Sequence, residues 1–256
     1  MCATFLSDRA YIRLVNNKIF KKYLENKFPN VDCILTNDNL GYGKANNIAL
    51  KKVVTSYSLI LNPDTTLRED AIDNFFTVIN HDLDFSIIAP EQSKKDFHLR
   101  SNQSELIETD KVEGFAMFLN MKKFFQIGFF DENFFLYLEE IDLCKRIKNK
   151  NGKIYIAQSI KIFHMGASSV NKIFSKQVEL TRNWHWMWSL FYYNKKHLNF
   201  YYALMLVLPI LFSSSFKVLF YSIFHKAHKK EIYLKRISGL INSILGRASW
   251  YRPTLD

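Results

Sequence analysis

Six short apolar runs, each closed by a polar turn, punctuate residues 31–164: VDCILT (31–36), YSLIL (57–61), FSIIAP (85–90), EGFAMFLN (113–120), KIYIA (153–157) and KIFH (161–164). Runs of this length and composition predict buried strands. Between them, helical patterning predicts helices over Asn47–Val54 and Arg68–Asn80, and another within FFDENFFLYLEEIDLCKR (129–146). Residues 91–110 are polar and read as a loop, and the chain reads as helical from Lys172 onward, broken near Pro209. Strands alternating with helices predict an α/β sheet whose ligands sit at the carboxyl ends of the strands.

Two residues occupy such ends. Asp64 follows the YSLIL strand in NPDTTL, and His164 closes KIFH. Each also has a plain structural reading, Asp64 as a turn former after Pro63 and His164 as a surface histidine. A third candidate lies in the 129–146 segment, where Glu139, Glu140 and Asp142 sit among Phe, Leu and Tyr. Acids in apolar surroundings are normally paired, capped or used. Plotted at helical pitch from Leu136, Glu140 falls beside Leu143 and Ile147 on an apolar arc. Glu139, Asp142 and Arg146 fall on another face, with Asp142 and Arg146 as an i,i+4 pair. Glu140 is therefore the carboxylate expected to be desolvated, its neighbours solvated or paired.

The chain of 256 residues holds one sizeable domain, or one domain and an appendage. With 48% hydrophobic and 16% aromatic residues it is neither disordered nor fibrous. Cys2, Cys33 and Cys144 form no CxxC, which suggests reduced thiols in a cytoplasmic protein and argues against zinc. MCATFLSDRAYIR (1–13) lacks the pattern of a signal peptide, so none is expected.

The net charge of +11 is uneven: residues 182–256 carry 11 Lys/Arg against 2 acids, leaving +2 for the rest. Such a basic stretch attracts nucleic acid or an anionic membrane. FYYALMLVLPILFSSSF (200–216) has no charge, and Lys195, Lys196, Lys226, Lys229 and Lys230 flank it on both sides. This segment reads as an interfacial helix or re-entrant hairpin on the cytoplasmic leaflet in preference to a span, with a soluble core helix as the plainer alternative. The basic residues flank the apolar run instead of interleaving with aromatics along a groove, so no nucleic acid is expected.

Four stretches in order, NDNLGYGKANNIAL (37–50), LILNPDTTL (59–67), GFFDENFFLYLEEIDLCKR (128–146) and IKIFHMGASSV (160–170), resemble family 2 glycosyltransferases of the rhamnosyltransferase-like type. WHWMWSLFYYNKKH (184–197) looks like the helix that follows the catalytic domain in many members. The resemblance implies a GT-A (Rossmann-like) nucleotide-sugar-binding sheet with helices on both faces over residues 1–197, then a basic, apolar, membrane-associated helical tail over 198–256. WHWMW then reads either as an interfacial aromatic belt or as ordinary helix packing.

By the same resemblance, Asp64 is a ligand for a divalent cation, Mg²⁺ or Mn²⁺, and His164 a second ligand or a phosphate contact. Gly41 and Gly43 allow close backbone approach to the nucleotide diphosphate, and Asn46 or Asn47 hydrogen-bonds the sugar nucleotide. Glu140 matches the family's catalytic base, with Glu in place of Asp adding a methylene, and Glu139 is the substitute. The family's first strand-helix unit has no counterpart: YIRLVNN (11–17) reads as the second strand, with Asn16 and Asn17 at its end, which implies either an N-terminally truncated domain or one that has lost nucleotide recognition.

The expected activity is that of an inverting glycosyltransferase at the cytoplasmic face of the cell membrane, peripheral or monotopic. It would move a sugar from a nucleoside-diphosphate donor to a lipid-linked or polysaccharide acceptor in cell-surface glycan synthesis. The alternative is a non-catalytic, membrane-associated remnant of such an enzyme.

Overall fold

A computed structural model describes residues 11–15, 17–79, 83–93, 106–164 and 174–252. Cys2, Asn16, the MGASSV end of the 160–170 motif and residues 94–105 of the expected loop lie outside them. The chain divides into two compact units, residues 1–131 with 139–169, and residues 132–138 with 170–256. The boundary expected after residue 197 falls inside the second of these.

The first unit opens with β1 (Tyr11–Val15), α1 (Lys18–Lys27) and β2 (Val31–Leu35). β1 and β2 pair in parallel, Tyr11 opposite Val31 through Val15 opposite Leu35. Asn17 caps α1, its Oδ1 accepting from the amides of Ile19 and Phe20 at 2.8 and 3.0 Å. α2 (Tyr42–Leu50) leads to β3 (Tyr57–Leu61), β4 (Thr65–Leu67), α3 (Ala71–Ile79) and β5 (Ile87–Ser93). β6 (Leu106–Glu108), β7 (Ala116–Asn120), α4 (Met121–Ile127), α5 (Glu139–Asn149) and β8 (Ile154–His164) complete the unit.

Six strands form the main sheet in the order β3-β7-β5-β8-β4, with β6 also on β8. β6 pairs with the first half of β8 and β4 with its end. Strict alternation splits the apolar side chains between two cores. Ile60, Ile87, Ala89, Met117, Leu119 and Ile154 pack with Leu50 of α2, Phe124 of α4 and Leu143 of α5. Their sequence neighbours Leu59, Leu61, Ile88, Phe118 and Tyr155 pack with Ala71 and Phe75 of α3. Helices thus cover both faces of the sheet, as expected, and the near-continuous apolar strands follow from that.

Several boundaries differ from expectation. The helix expected at Asn47 starts at Tyr42, because Gly41 (φ 82°, ψ 175°) ends the loop with a backbone conformation suited to glycine. KIYIA and KIFH belong to one strand, β8, not two. Its pairing with β5 jumps from Pro90 opposite Ala157 to Glu91 opposite Lys161, where the proline has no amide to donate.

The second unit contains α6 (Ser175–His197), α7 (Phe200–Ile223) and α8 (Ala227–Ile244). Met187 and Phe191 of α6, Ala203 and Val207 of α7 and Leu240 of α8 share a core. α7 runs through Pro209 without the expected break. A proline costs about 3 kcal/mol in a helix interior; on either side of Pro209, Val207, Ile210 and Leu211 pack into the core shared with α6 and α8. Trp184 and Trp188 are core residues with their indole N–H groups bonded to Ser238 Oγ (3.1 Å) and the Arg247 carbonyl (3.0 Å). Packing is therefore the correct reading for these two; Trp186 is exposed.

Candidate functional site

β3 ends at Leu61, and the turn that follows is pinned from both sides. The Asn62 amide donates to the Phe115 carbonyl (2.8 Å), while the Thr65 amide and hydroxyl both donate to the Asn62 carbonyl (3.2 and 2.6 Å). β4 then pairs antiparallel to the end of β8, with Thr65 opposite His164. Asp64, one residue before β4, is thereby set beside His164. Asp64 Oδ1 and His164 Nε2 lie 3.2 Å apart, and their side chains keep 14% and 19% of their exposure. Two positions separated by a hundred residues, each named from its strand end alone, meet.

The His164 ring lies flat on Phe115, with centroids 4.9 Å apart and planes 10° apart. The next carbonyl back, that of Gly114, accepts from the Tyr42 hydroxyl. Tyr42 is the first residue of α2, and its ring meets Phe130 edge-on at 5.6 Å. Burial raises the Tyr42 hydroxyl well above its usual pKa, and the negative charges of Glu139 and Glu140 add to this. Asp64, His164, Phe115, Gly114 and Tyr42 form a chain of contacts that leads to the acid pair.

The acid pair itself corrects one expectation. Glu139 is the more deeply buried member, 4% exposed, and its Oε2 has no hydrogen-bond partner among the described residues. Glu140 is only half-buried. α5 begins at Glu139, so Leu136 lies outside the helix. Tyr137 and Leu138 hold left-handed φ values of 72° and 66°, so no helical register passes through them. Within α5, Glu139 lies four residues before Leu143 and Glu140 three before it, so the two acids flank the buried Leu143–Ile147 row, and Glu139 is the one that the fold covers.

Desolvation, reinforced by Glu140, pushes the Glu139 carboxyl up to about 8. Burial raises Glu140 as well, with Glu113 adding to it. Asp142 is buried, not solvated, and forms the expected pair with Arg146, whose Nε donates to Oδ2 at 2.9 Å. The same guanidinium donates to the carbonyls of Ile127, Gly128 and Phe129, fixing the turn after α4.

The NLGYGKANN loop is built tightly. A Cβ on Gly43 would meet Phe130 Cβ at 3.0 Å, so this helix and the 130 region approach as only glycine allows. Asn47 clasps the Phe130 backbone, donating from Nδ2 to its carbonyl (2.9 Å) and accepting its amide on Oδ1 (3.0 Å). Asn46 donates to the Tyr42 carbonyl (3.0 Å), and its buried Oδ1 has no partner among the described residues. Tyr42, Glu113 and Phe115 were not singled out by sequence reading. Their only signal was position, Tyr42 inside the glycine loop and Glu113-Gly114-Phe115 leading a strand.

Among the described residues no three His, Cys, Asp or Glu side chains group as metal ligands. The Asp64–His164 pair still fits a hard divalent cation, since one or two protein ligands suffice when substrate phosphates complete the shell.

The sheet with helices on both faces has the GT-A fold. A mannosyltransferase from Pyrobaculum calidifontis, solved with GDP-Man and Mn²⁺, superposes with a TM-score of 0.51 at 13% identity, covering 88% of this chain and 73% of its own. GalNAc-T7, solved with UDP, GalNAc and Mn²⁺, gives a TM-score of 0.51 at 11% identity over 61% of this chain and 37% of its own. In sequence, the chain is 26% identical over 151 residues to the low-salt glycan biosynthesis hexosyltransferase Agl10 of Haloferax volcanii. That match takes in 49% of this chain and 49% of Agl10, so the chain spans about half the length of this curated relative. No family model matches the chain.

Proposed function

We infer that the chain is an inverting glycosyltransferase that moves a sugar from a nucleoside diphosphate to an acceptor hydroxyl in glycan synthesis. The observation that carries this reading is the Asp64–His164 pair joined through Phe115, Gly114 and Tyr42 to the Glu139–Glu140 pair. A diphosphate-binding group and an acid pair of raised pKa are the two parts that direct displacement at a sugar carbon requires. The fold likeness to enzymes solved with UDP or GDP-Man and Mn²⁺, and the sequence likeness to a hexosyltransferase, support it.

Asp64 Oδ1 and His164 Nε2 would hold the divalent cation, whose chemistry here is to neutralise charge on the departing diphosphate. Glu140, the more accessible acid, takes the proton of the acceptor hydroxyl as its oxygen bonds to the anomeric carbon and the carbon–phosphate oxygen bond breaks. Glu139, with a pKa near 8, stays protonated at neutral pH and spares Glu140 a second buried negative charge. Gly41, at positive φ, ends the loop at the start of α2, which would face the diphosphate, whereas the Gly43 position is taken up by packing against Phe130; Asn46 Oδ1 is free to accept from the donor.

The tail argues for a membrane-borne acceptor, lipid-linked or polysaccharide. α7 is long and apolar enough to cross a membrane by length and composition, and α8 is basic. We read the pair as lying on the cytoplasmic face. The test is release of nucleoside diphosphate from UDP-, GDP- or dTDP-sugars in the presence of a membrane extract. One donor should be turned over by the wild type, and Glu140→Gln should lower that rate about 10²–10⁴-fold. No release from any donor, or an unchanged rate in Glu140→Gln, overturns the reading.

A further inference from the structure

α7 and α8 pack side by side, and near their turn Tyr221 stacks on Tyr233 with centroids 5.7 Å apart and planes 18° apart. Three cations surround the stack. Lys217 Nζ lies 5.0 Å and the Arg236 guanidinium 5.5 Å from the Tyr233 centroid, and Lys229 Nζ lies 5.6 Å from that of Tyr221. The spacing sets each group on one helix face: Lys217 and Tyr221 are one turn apart on α7, and Lys229, Tyr233 and Arg236 recur at i, i+4 and i+7 on α8.

None of the three cations has a carboxylate partner among the described residues. The nearby acids are committed elsewhere, Glu231 to Lys176 at 2.7 Å and Glu179 to His228 at 2.8 Å. Arg236 Nε is buried and has no hydrogen-bond acceptor among the described residues. Ring faces draw cations in but leave their N–H groups unbonded, and like charges held together repel. The cluster is short of an anion with several acceptor oxygens, which is the chemistry of a phosphate.

Beside the cluster α7 exposes Phe216, Leu219, Phe220, Ile223 and Phe224, from 43% at Phe220 to 72% at Ile223. Contiguous apolar surface on this scale marks an interaction site. A phosphate and an apolar body occur together in a phospholipid. We propose that Lys217, Lys229 and Arg236, set around the Tyr221–Tyr233 stack, bind the phosphate headgroup of an anionic phospholipid, with Phe216, Leu219, Phe220, Ile223 and Phe224 in the acyl layer. This rests on the membrane-face part of the proposed function and is independent of the glycosyl-transfer chemistry.

The test is flotation of the full chain with vesicles of phosphatidylcholine alone or with about one third phosphatidylglycerol. A basic residue near an anionic surface contributes about 1 kcal/mol, or about fivefold in partitioning. Lys217→Gln/Arg236→Gln should lose about 25-fold of the binding to anionic vesicles at unchanged Tm. Lys226→Gln/Lys230→Gln, which removes the same charge outside the cluster, should lose clearly less than that double variant. Equal losses in the two variants overturn the site in favour of diffuse attraction. Equal binding of the wild type to both vesicle types overturns the headgroup site and leaves the membrane reading standing. Binding to neither overturns both, with nucleotide-sugar turnover still to be judged by its own assay. If inorganic phosphate alone raises Tm as much as anionic vesicles do, and Lys217→Gln/Arg236→Gln abolishes it, the ligand is free phosphate and the lipid assignment fails. Should Lys217→Gln/Arg236→Gln unfold, Phe216→Ser/Ile223→Ser takes its place, and retained vesicle binding by that variant overturns the proposal.

Discussion

Asp64 Oδ1 stands 3.2 Å from His164 Nε2, although a hundred residues separate them in sequence. The meeting is made by backbone register, since β4 begins one residue after Asp64 and places Thr65 opposite His164 on β8. The pair therefore costs the fold little to lose. As a part-exposed contact, replacing Asp64 by Ala should change stability by about 1 kcal/mol or less. Thermal unfolding checks this, and it is the condition that makes Asp64→Ala a clean probe of ligand binding.

Glu139 gives a pH signature with a definite sign. Its carboxyl titrates near 8 when folded and near 4.5 when free, so between those values the folded chain holds a proton that the unfolded chain has released. The stability contributed by that proton is present below about 4.5 and declines toward pH 8, at up to about 1.4 kcal/mol per pH unit. Glu139→Gln should remove this decline. Its Tm should exceed that of the wild type at pH 8 and converge with it near pH 4.5.

His185 gives the opposite sign in the helical unit. Its Nε2 pairs with the Tyr251 carbonyl and its Nδ1 with Ser249 Oγ, both at 2.9 Å, an arrangement that suits the neutral ring. Burial lowers its pKa to about 4, with Arg252 contributing. The associated stability is present above the unfolded value of about 6.5 and is lost as pH falls toward 4. His185→Phe should be less stable at pH 7 and show a flatter acid limb, read by helical circular dichroism.

Asn47 is a structural clasp before it is anything else. Asn47→Ala strands the buried amide and carbonyl of Phe130, and unpaired buried groups cost about 1–3 kcal/mol each. Chemical denaturation should show a loss of about 2–4 kcal/mol. The same denaturation applied to Asn46→Ala, which removes only a bond within α2, should show a smaller loss.

β3, β5, β7 and β8 were legible because they are buried on both faces, which writes them as unbroken apolar runs such as YSLIL and AMFLN, whereas β4 and the β6 strand inside the expected 91–110 loop, three residues each, carry no such run. Asp64 and His164 were legible because both stand at strand ends. The assignment within the acid pair was not, since the start of α5 depends on left-handed Tyr137 and Leu138, residues with no sequence signal for that conformation. Nor could sequence show Tyr42 reaching Gly114, a contact across 72 positions that exists only once α2 and β7 are packed.

The central claim is a metal-dependent nucleotide site at Asp64, and the most direct test is the Tm of the purified chain with Mn²⁺ and UDP, GDP or dTDP. Ligand at 100-fold over its dissociation constant stabilises by about 2.7 kcal/mol. The account predicts a rise with one nucleotide that needs Mn²⁺ and vanishes in Asp64→Ala. No rise with any nucleotide in a cooperatively folded chain, or an equal rise in Asp64→Ala, would contradict it and leave the non-catalytic remnant as the better reading.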